Sequence, residues 1–398
     1  MGCNIANVIK MRNANDHIAP KWPTNTESVD IATQYIGNKP FIYASVNGKN
    51  GFLFMIDTGA SISYLFDTPK VVGLNLKKGF SITMGGWGDE EDSKLFKTEI
   101  SSLSLNGVDF GAISMAFLSA SKTKYFMLPE EMTYDGVIGH DILRHFSWTF
   151  DRPNNQVSIS NIPYTPSGND NTVPFDITFS KLSVEGTIDF GAGQNSTQEL
   201  LIDTGSRHYL KVSASYVNEN IKLPNNSITA ADFGLSGRTE HQRTSVPEVK
   251  IGNQSFKWVK TNLIGPNDDE DENWVLGSGL FNQYKVVLDY HNSNMHIQPY
   301  TESTFKSRYN LLGLELRKLT SGNFIVRYVF PNFPSDKSGF KVGDIISKIN
   351  NIFSSKISQD DWLSISASEG THKICLMAKI ESCFDIRAQH IKGYSQPH

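Results

Sequence analysis

The chain has 398 residues, 39% of them hydrophobic and 20% charged, with a formal net charge of −4. That length favours two or three domains, and that composition excludes wholesale disorder. Lys and Arg are dispersed, so no electrostatic footprint for nucleic acid or an anionic membrane stands out.

Residues 1–29 are polar and aperiodic, with Pro20 and Pro23, and read as a flexible leader. Residues 1–10 lack the apolar core of a secretory signal, and no stretch approaches the roughly 20 apolar residues that cross a bilayer. Cys3 is a candidate lipid-bearing residue of a bacterial lipoprotein; an incidental cysteine is an equal alternative. Cys3, Cys375 and Cys383 lack zinc or redox spacings, and no disulfide framework is indicated.

From Tyr35 the pattern changes to short alternating runs such as Phe41, Tyr43, Ser45 and Asn47, followed by an Asn47-Gly48 turn, which are strand and hairpin signals. Phe54-Met55-Ile56-Asp57-Thr58-Gly59-Ala60-Ser61 then recurs 146 residues later as Leu200-Leu201-Ile202-Asp203-Thr204-Gly205-Ser206-Arg207. A second shared element follows each copy: Asp135-Gly136-Val137-Ile138-Gly139 in the first half and Trp274-Val275-Leu276-Gly277 in the second. Each is followed by a strand, a turn and a strand, with turns at Asn154-Asn155 and Asn292-Ser293. The repeat predicts two β-rich lobes, residues 30–163 and 172–300, joined by a linker at 164–171. The acidic run 268–272 reads as a solvated loop rather than a metal site.

A third segment, residues 308–390, begins with Leu311-Leu312-Gly313-Leu314-Glu315-Leu316 as a strand entry. Residues 324–330 read as a strand, 334–340 as a helical turn ended by glycine, and 358–368 as a short amphipathic helix.

A carboxylate delivered by an apolar strand onto an Asp-Thr-Gly turn is unusual, because carboxylates are rarely buried without partners. Two such turns brought together by a pseudo-twofold axis would set Asp57 against Asp203, and a pair at near contact shares one proton. The ionised member can then take a proton from water while the other donates to a scissile carbonyl, with neither metal nor cofactor.

These residues resemble the pepsin and retropepsin superfamily of aspartic peptidases, whose signature is two apolar residues, Asp, Thr or Ser, Gly and a small residue, then a glycine-bearing flap, then two apolar residues and glycine. The resemblance implies an all-β bilobal fold acting on a protein or peptide substrate, with Asp57 and Asp203 as the catalytic pair. It implies supporting roles for Thr58, Gly59, Ser61, Thr204, Gly205 and Ser206, the Ser206 hydroxyl reaching the outer carboxylate oxygen. The flap would carry Gly85, Gly86, Trp87 and Gly88, and residues 233–237 would form either a second flap or a plain turn. Arg207 and His208 interrupt the symmetry and would contact substrate, lower the proton affinity of Asp203, or take a surface-facing or structural role.

The third segment resembles PDZ domains appended to bacterial peptidases, a small β-rich barrel with two helices. The resemblance assigns Leu312, Gly313, Leu314 and Glu315 to the loop that receives a peptide C-terminus, with Glu315 departing from the usual aromatic or aliphatic residue. A domain that only packs on the lobes is the alternative. The whole implies a monomeric endopeptidase of the bacterial periplasm or an envelope lipoprotein, the competing reading being a catalytically silent peptide-binding scaffold.

Overall fold

A computed structural model describes residues 2–84, 93–118, 133–221, 227–234, 237–264, 274–300, 305–377 and 382–391. Strands dominate and fall into four sheets. A ten-stranded sheet holds Lys49–Ile56, paired antiparallel with Lys39–Val46 and parallel with Gly136–Ile138. An eight-stranded sheet repeats the arrangement with Asn195–Asp203, paired antiparallel with Lys181–Asp189 and parallel with Trp274–Gly277.

The near-continuous apolar run at the end of Lys49–Ile56 has its reason in this placement, since a strand covered on both faces cannot alternate. Phe52, Phe54 and Ile56 enter the large core that runs through both lobes. Leu53 and Met55 enter a second cluster on the opposite face, with Phe41, Tyr64 and Phe66.

The lobes meet in a six-stranded sheet ordered Ser28–Ile31, Gln156–Ser160, Ser147–Asp151, Tyr284–Asp289, Asn294–Pro299, Asn171–Pro174. The order is palindromic, and the pseudo-twofold passes between Ser147–Asp151 and Tyr284–Asp289, which pair from Ser147↔Asp289 to Asp151↔Lys285. Asn155 and Ser293, in the two hairpin turns, both take left-handed backbone, with φ of 52° each. The expected linker is no free tether. Tyr164 donates its amide to Asp289, and Asp170 accepts from Ser167 and Gln298.

Two expectations are corrected. The leader is fastened rather than flexible: Gly2–Arg12 is a helix whose Met11, 2% exposed, enters the Phe41–Tyr64–Phe66 cluster. Beyond it, Asn15 is buried, exchanges hydrogen bonds with the Ser114 backbone and donates to Asp141 at 2.7 Å. One apolar and one amide side chain do the anchoring, and a period count over a short polar stretch does not register either. The second correction concerns cysteine, since Cys375 and Cys383 are bridged across two neighbouring strands, Thr371–Leu376 and Ser382–Arg387. They lie eight residues apart and directly opposite in register, a pairing that spacing alone does not reveal.

The third segment forms its own six-stranded sheet, with short helices Pro334–Lys337 and Gln359–Ser366, around a core that includes Leu312, Leu314, Phe324 and Trp362. A further apolar cluster joins it to the second lobe, where Ala230 and Ala231 meet Tyr309, Tyr328, Phe330 and Phe333. Its helix also reaches the first lobe, with Asp360 accepting from the Gly37 and Asn38 amides at 2.8 and 3.0 Å and from Arg152 at 2.9 Å.

Candidate active site

Each Asp-Thr-Gly loop leaves the end of a buried strand and is locked to the other by reciprocal threonine bonds. The Thr58 hydroxyl donates to the Ile202 carbonyl at 2.6 Å and accepts the Thr204 amide at 3.0 Å. The Thr204 hydroxyl donates to the Ile56 carbonyl at 2.8 Å and accepts the Thr58 amide at 3.1 Å. Both threonines are buried, so these four bonds satisfy backbone groups that have no access to water.

The crossing leaves room for nothing but glycine after each threonine. A Cβ on Gly59 would stand 2.8 Å from Cγ of Asp203, and one on Gly205 would stand 2.3 Å from Cγ of Asp57. The two carboxyls therefore lie side by side and hydrogen-bond to each other. Asp57 also accepts the Gly59 and Ala60 amides at 2.9 and 3.1 Å, and Asp203 accepts from Gly205 and Ser206.

Burial pushes the Asp57 carboxyl up to about 8, reinforced by the charge of Asp203 and opposed by Lys39. Asp203 is also raised by burial, against the pull of Lys39 and its bond from Asp57. The pair as a whole therefore holds one proton and one charge between the two carboxyls. Oδ1 of Asp203 is buried and has no hydrogen-bond partner among the described residues.

The second repeated element supports the loops from behind. Gly139 lies against the backbone of Ala60 and Ile62, and Gly277 against that of Ser206 and His208, each too close for a side chain. The next amide in each copy, His140 and Ser278, donates to the carbonyls of Ala60 and Ser206, both at 2.8 Å.

With this geometry in view, a comparison with solved structures finds similarity to the crystal structure of aspartic proteinase from Irpex lacteus, at 13% identity and a TM-score of 0.44, over 70% of this chain and 98% of that one. No family model and no curated protein matches.

The other expected residues divide. The Ser206 hydroxyl does not take up the expected bond to the carboxylate; it accepts the His208 amide at 3.3 Å, and the residue reaches Asp203 through its own amide. The Ser61 hydroxyl bridges the lobes to the Phe179 carbonyl at 3.4 Å. Gly85, Gly86, Trp87 and Gly88 lie outside the described residues; the strands on either side, Ser81–Met84 and Ser93–Ile100, pair antiparallel. Residues 235–236 and 268–272 also lie outside them, while Gly234 pairs with Gly237 at the end of a hairpin that carries Asp232.

Arg207 and His208 belong to a buried charge network rather than to an exposed surface. Arg207 pairs with Asp232 at 2.9 Å and with Glu315 at 2.6 Å, tying the second lobe to the third segment. Asp232 also takes Arg243 at 2.8 Å and Asn262 at 3.0 Å, and lies 3.6 Å from His208. Burial pushes the His208 imidazole down to about 3, which keeps it neutral.

The expected peptide-receiving loop is already occupied. Leu312 and Leu314 are core residues. The amides of Leu312 and Gly313 both donate to Oδ1 of Asn310, and Glu315 is buried against Arg207. The edge of the adjoining strand, Leu314–Lys318, is bridged by Gln359, whose side chain donates to the Leu316 carbonyl and accepts the Lys318 amide, both at 2.9 Å.

Sequence reasoning passes over Asp232 and Lys39. Asp232 sits in a strand without any motif. Lys39 had a usable signal, because the hairpin that ends in Asp57 must begin opposite it.

Proposed function

We propose that this chain is an aspartic endopeptidase in which Asp57 and Asp203 activate water against a peptide bond. The observation that carries the reading is the reciprocal bonding of Thr58 and Thr204, which sets each carboxyl against the glycine of the opposite loop. A pair so held keeps one proton and one charge.

In this mechanism the Asp203 carboxylate takes a proton from water, and its unpartnered Oδ1 is the acceptor suited to the task. The water oxygen adds to the scissile carbonyl carbon while Asp57 gives its proton to the carbonyl oxygen. Asp57 then recovers a proton from the gem-diol, Asp203 passes its own to the departing nitrogen, and the C–N bond breaks. Both carboxyls return to their starting state, and no covalent acyl-enzyme forms.

Gly85, Gly86, Trp87 and Gly88 are assigned to a flap over substrate, on the strength of their place between paired strands. For the PDZ-like third segment the occupied loop favours a clamp between the lobes over a receptor for peptide ends. Both aspartates belong to one chain, which supports a monomer as the active unit. The Cys375–Cys383 bridge favours an oxidising compartment such as the bacterial envelope.

The test is digestion of a denatured protein from acid to neutral pH. The wild type should cut it, and Asp57→Asn and Asp203→Asn should each lose at least about a thousandfold in rate. A wild type inert throughout, yet still binding peptide, would leave the silent scaffold as the function.

A further inference from the structure

Two residues past the supporting glycine of each lobe, the halves part. In the second lobe that place holds Gly279, where a Cβ would stand 2.5 Å from the Arg207 carbonyl oxygen and 2.8 Å from that of His208, so backbone alone fills the space behind the loop. In the first lobe it holds Asp141, 1% exposed, with Ser63 fully buried beside it. Oδ1 of Asp141 accepts the Ser63 amide at 2.8 Å and the Ser63 hydroxyl at 2.7 Å. The same hydroxyl accepts the Gly139 amide at 2.9 Å.

Oδ2 of Asp141 accepts, among the described residues, from Nδ2 of Asn15 alone, at 2.7 Å. Asn15 comes from the leader and is held on its other sides. Its side chain exchanges bonds with the Ser114 backbone at 2.8 and 3.0 Å, its carbonyl accepts from Nε2 of His145 at 3.1 Å, and its neighbour Asp16 pairs with Arg144. The leader thus docks on residues 141–145, the segment that begins just past the support of the Asp57 loop.

From Asn15 the contacts run without a gap to the catalytic carboxyl. Asn15 fixes Asp141, Asp141 fixes Ser63, and Ser63 fixes Gly139. The next amide, that of His140, holds the Ala60 carbonyl at 2.8 Å, and the Ala60 amide bonds Oδ1 of Asp57 at 3.1 Å. Without Asn15 one oxygen of a buried carboxylate has no donor, which is costly. Asp141 relieves that cost by taking a proton or by turning away, and either change loosens Ser63.

We propose that Asn15 is a positioning residue for the Asp57 loop, acting through Asp141 and Ser63, so that the leader is a working part of the active site and not an appended tail. This rests on the peptidase reading and deepens it. The second lobe, with Gly279 in the equivalent place, needs no such partner.

The experiment measures kcat and KM on a peptide that the wild type cuts, at a temperature where circular dichroism shows each variant folded, and amide hydrogen exchange beside it. Asn15→Ala should lower kcat about tenfold with KM within about twofold, as a small misplacement of one reacting carboxyl gives. Exchange at Ala60 and Ser63 should quicken about tenfold while that at Ser206 and Tyr209 in the second lobe stays as in the wild type. Asp141→Asn keeps the acceptor for Ser63 but sets amide against amide at Asn15, so it should act in the same direction and reads the proposal should Asn15→Ala not fold. Asn15→Asp combined with Asp141→Asn restores the bond with donor and acceptor exchanged and should recover most of the kcat.

Variants that keep the wild-type kcat and lose only thermal stability make the leader a brace and overturn the proposal. A rise in kcat marks the leader as an obstruction to substrate and overturns it too, as does exchange that quickens equally in both lobes. Where the wild type cuts nothing, exchange decides alone: quickening confined to Ala60 and Ser63 keeps Asn15 as the residue that positions the loop and removes the peptidase reading, and unchanged exchange overturns the positioning role.

Discussion

In the first lobe the strand opposite Asp57 starts at Lys39, after a turn held by Asn282 and Asp360; in the second the strand opposite Asp203 starts at Lys181, after a turn held by Ser61 and Arg12. The two hairpins occupy equivalent places, but one is fastened to the third segment and the other to the leader helix. Two buried aspartates show the same divergence. Asp141, in the first lobe, accepts from Ser63 and Asn15, and burial raises it to about 6 despite those neutral donors. Asp232, in the second, is raised by burial too, but the Arg243 and Arg207 guanidiniums overcome that and hold it well below the usual range. The lobes repeat where each depends on the other, at the threonines and glycines. They differ where each must hold a different appendage.

The comparison breaks most sharply at Arg207. Arg207→Met should cost about 3 kcal/mol or more in urea unfolding, because it strands Glu315 and weakens the hold on Asp232 in a buried setting. Arg207→Met with Glu315→Met should recover part of that. In the first lobe Asp141→Asn, which keeps the size and acceptor of the side chain, should cost only about 1 kcal/mol. Equal losses at the two sites would erase the distinction drawn between a charged and a neutral network.

Thr58→Ala and Thr204→Ala sharpen the symmetric part. Each removes two buried hydrogen bonds and should destabilise by about 2 kcal/mol. The losses should agree with each other, and a marked inequality would mean that the loops are not equivalent.

The remaining effect is a slope with pH. Asp57 has a folded-state pKa raised from 3.8 to about 8, so between those values the folded chain holds more protons than the unfolded one. Stability should therefore fall as pH rises through that window, and Asp57→Asn should flatten the fall when urea midpoints are followed against pH.

The repeat made the innermost layer legible. Asp-Thr-Gly and the apolar-apolar-Gly element are local strings whose spacing survives in sequence, and the paired strands around Asn155 and Ser293 read equally well. What escaped depends on single side chains acting across long separations. Met11 and Asn15 anchor the leader, Asp232 gathers Arg207 from the loop after the Asp203 strand and Arg243 from the neighbouring strand, and Gln359 fills the strand edge that a peptide was expected to occupy. The Ser206 hydroxyl was misplaced because a motif states which residue is present and not which of two nearby partners it meets.

The most direct measurement is an NMR titration of 13C-labelled aspartate carboxyls, with Asp57→Asn and Asp203→Asn to assign the pair. The account predicts two steps far apart, with one proton retained by the pair into neutral pH and lost from both signals together. Two carboxyls that each titrate independently near 3.8 would contradict it.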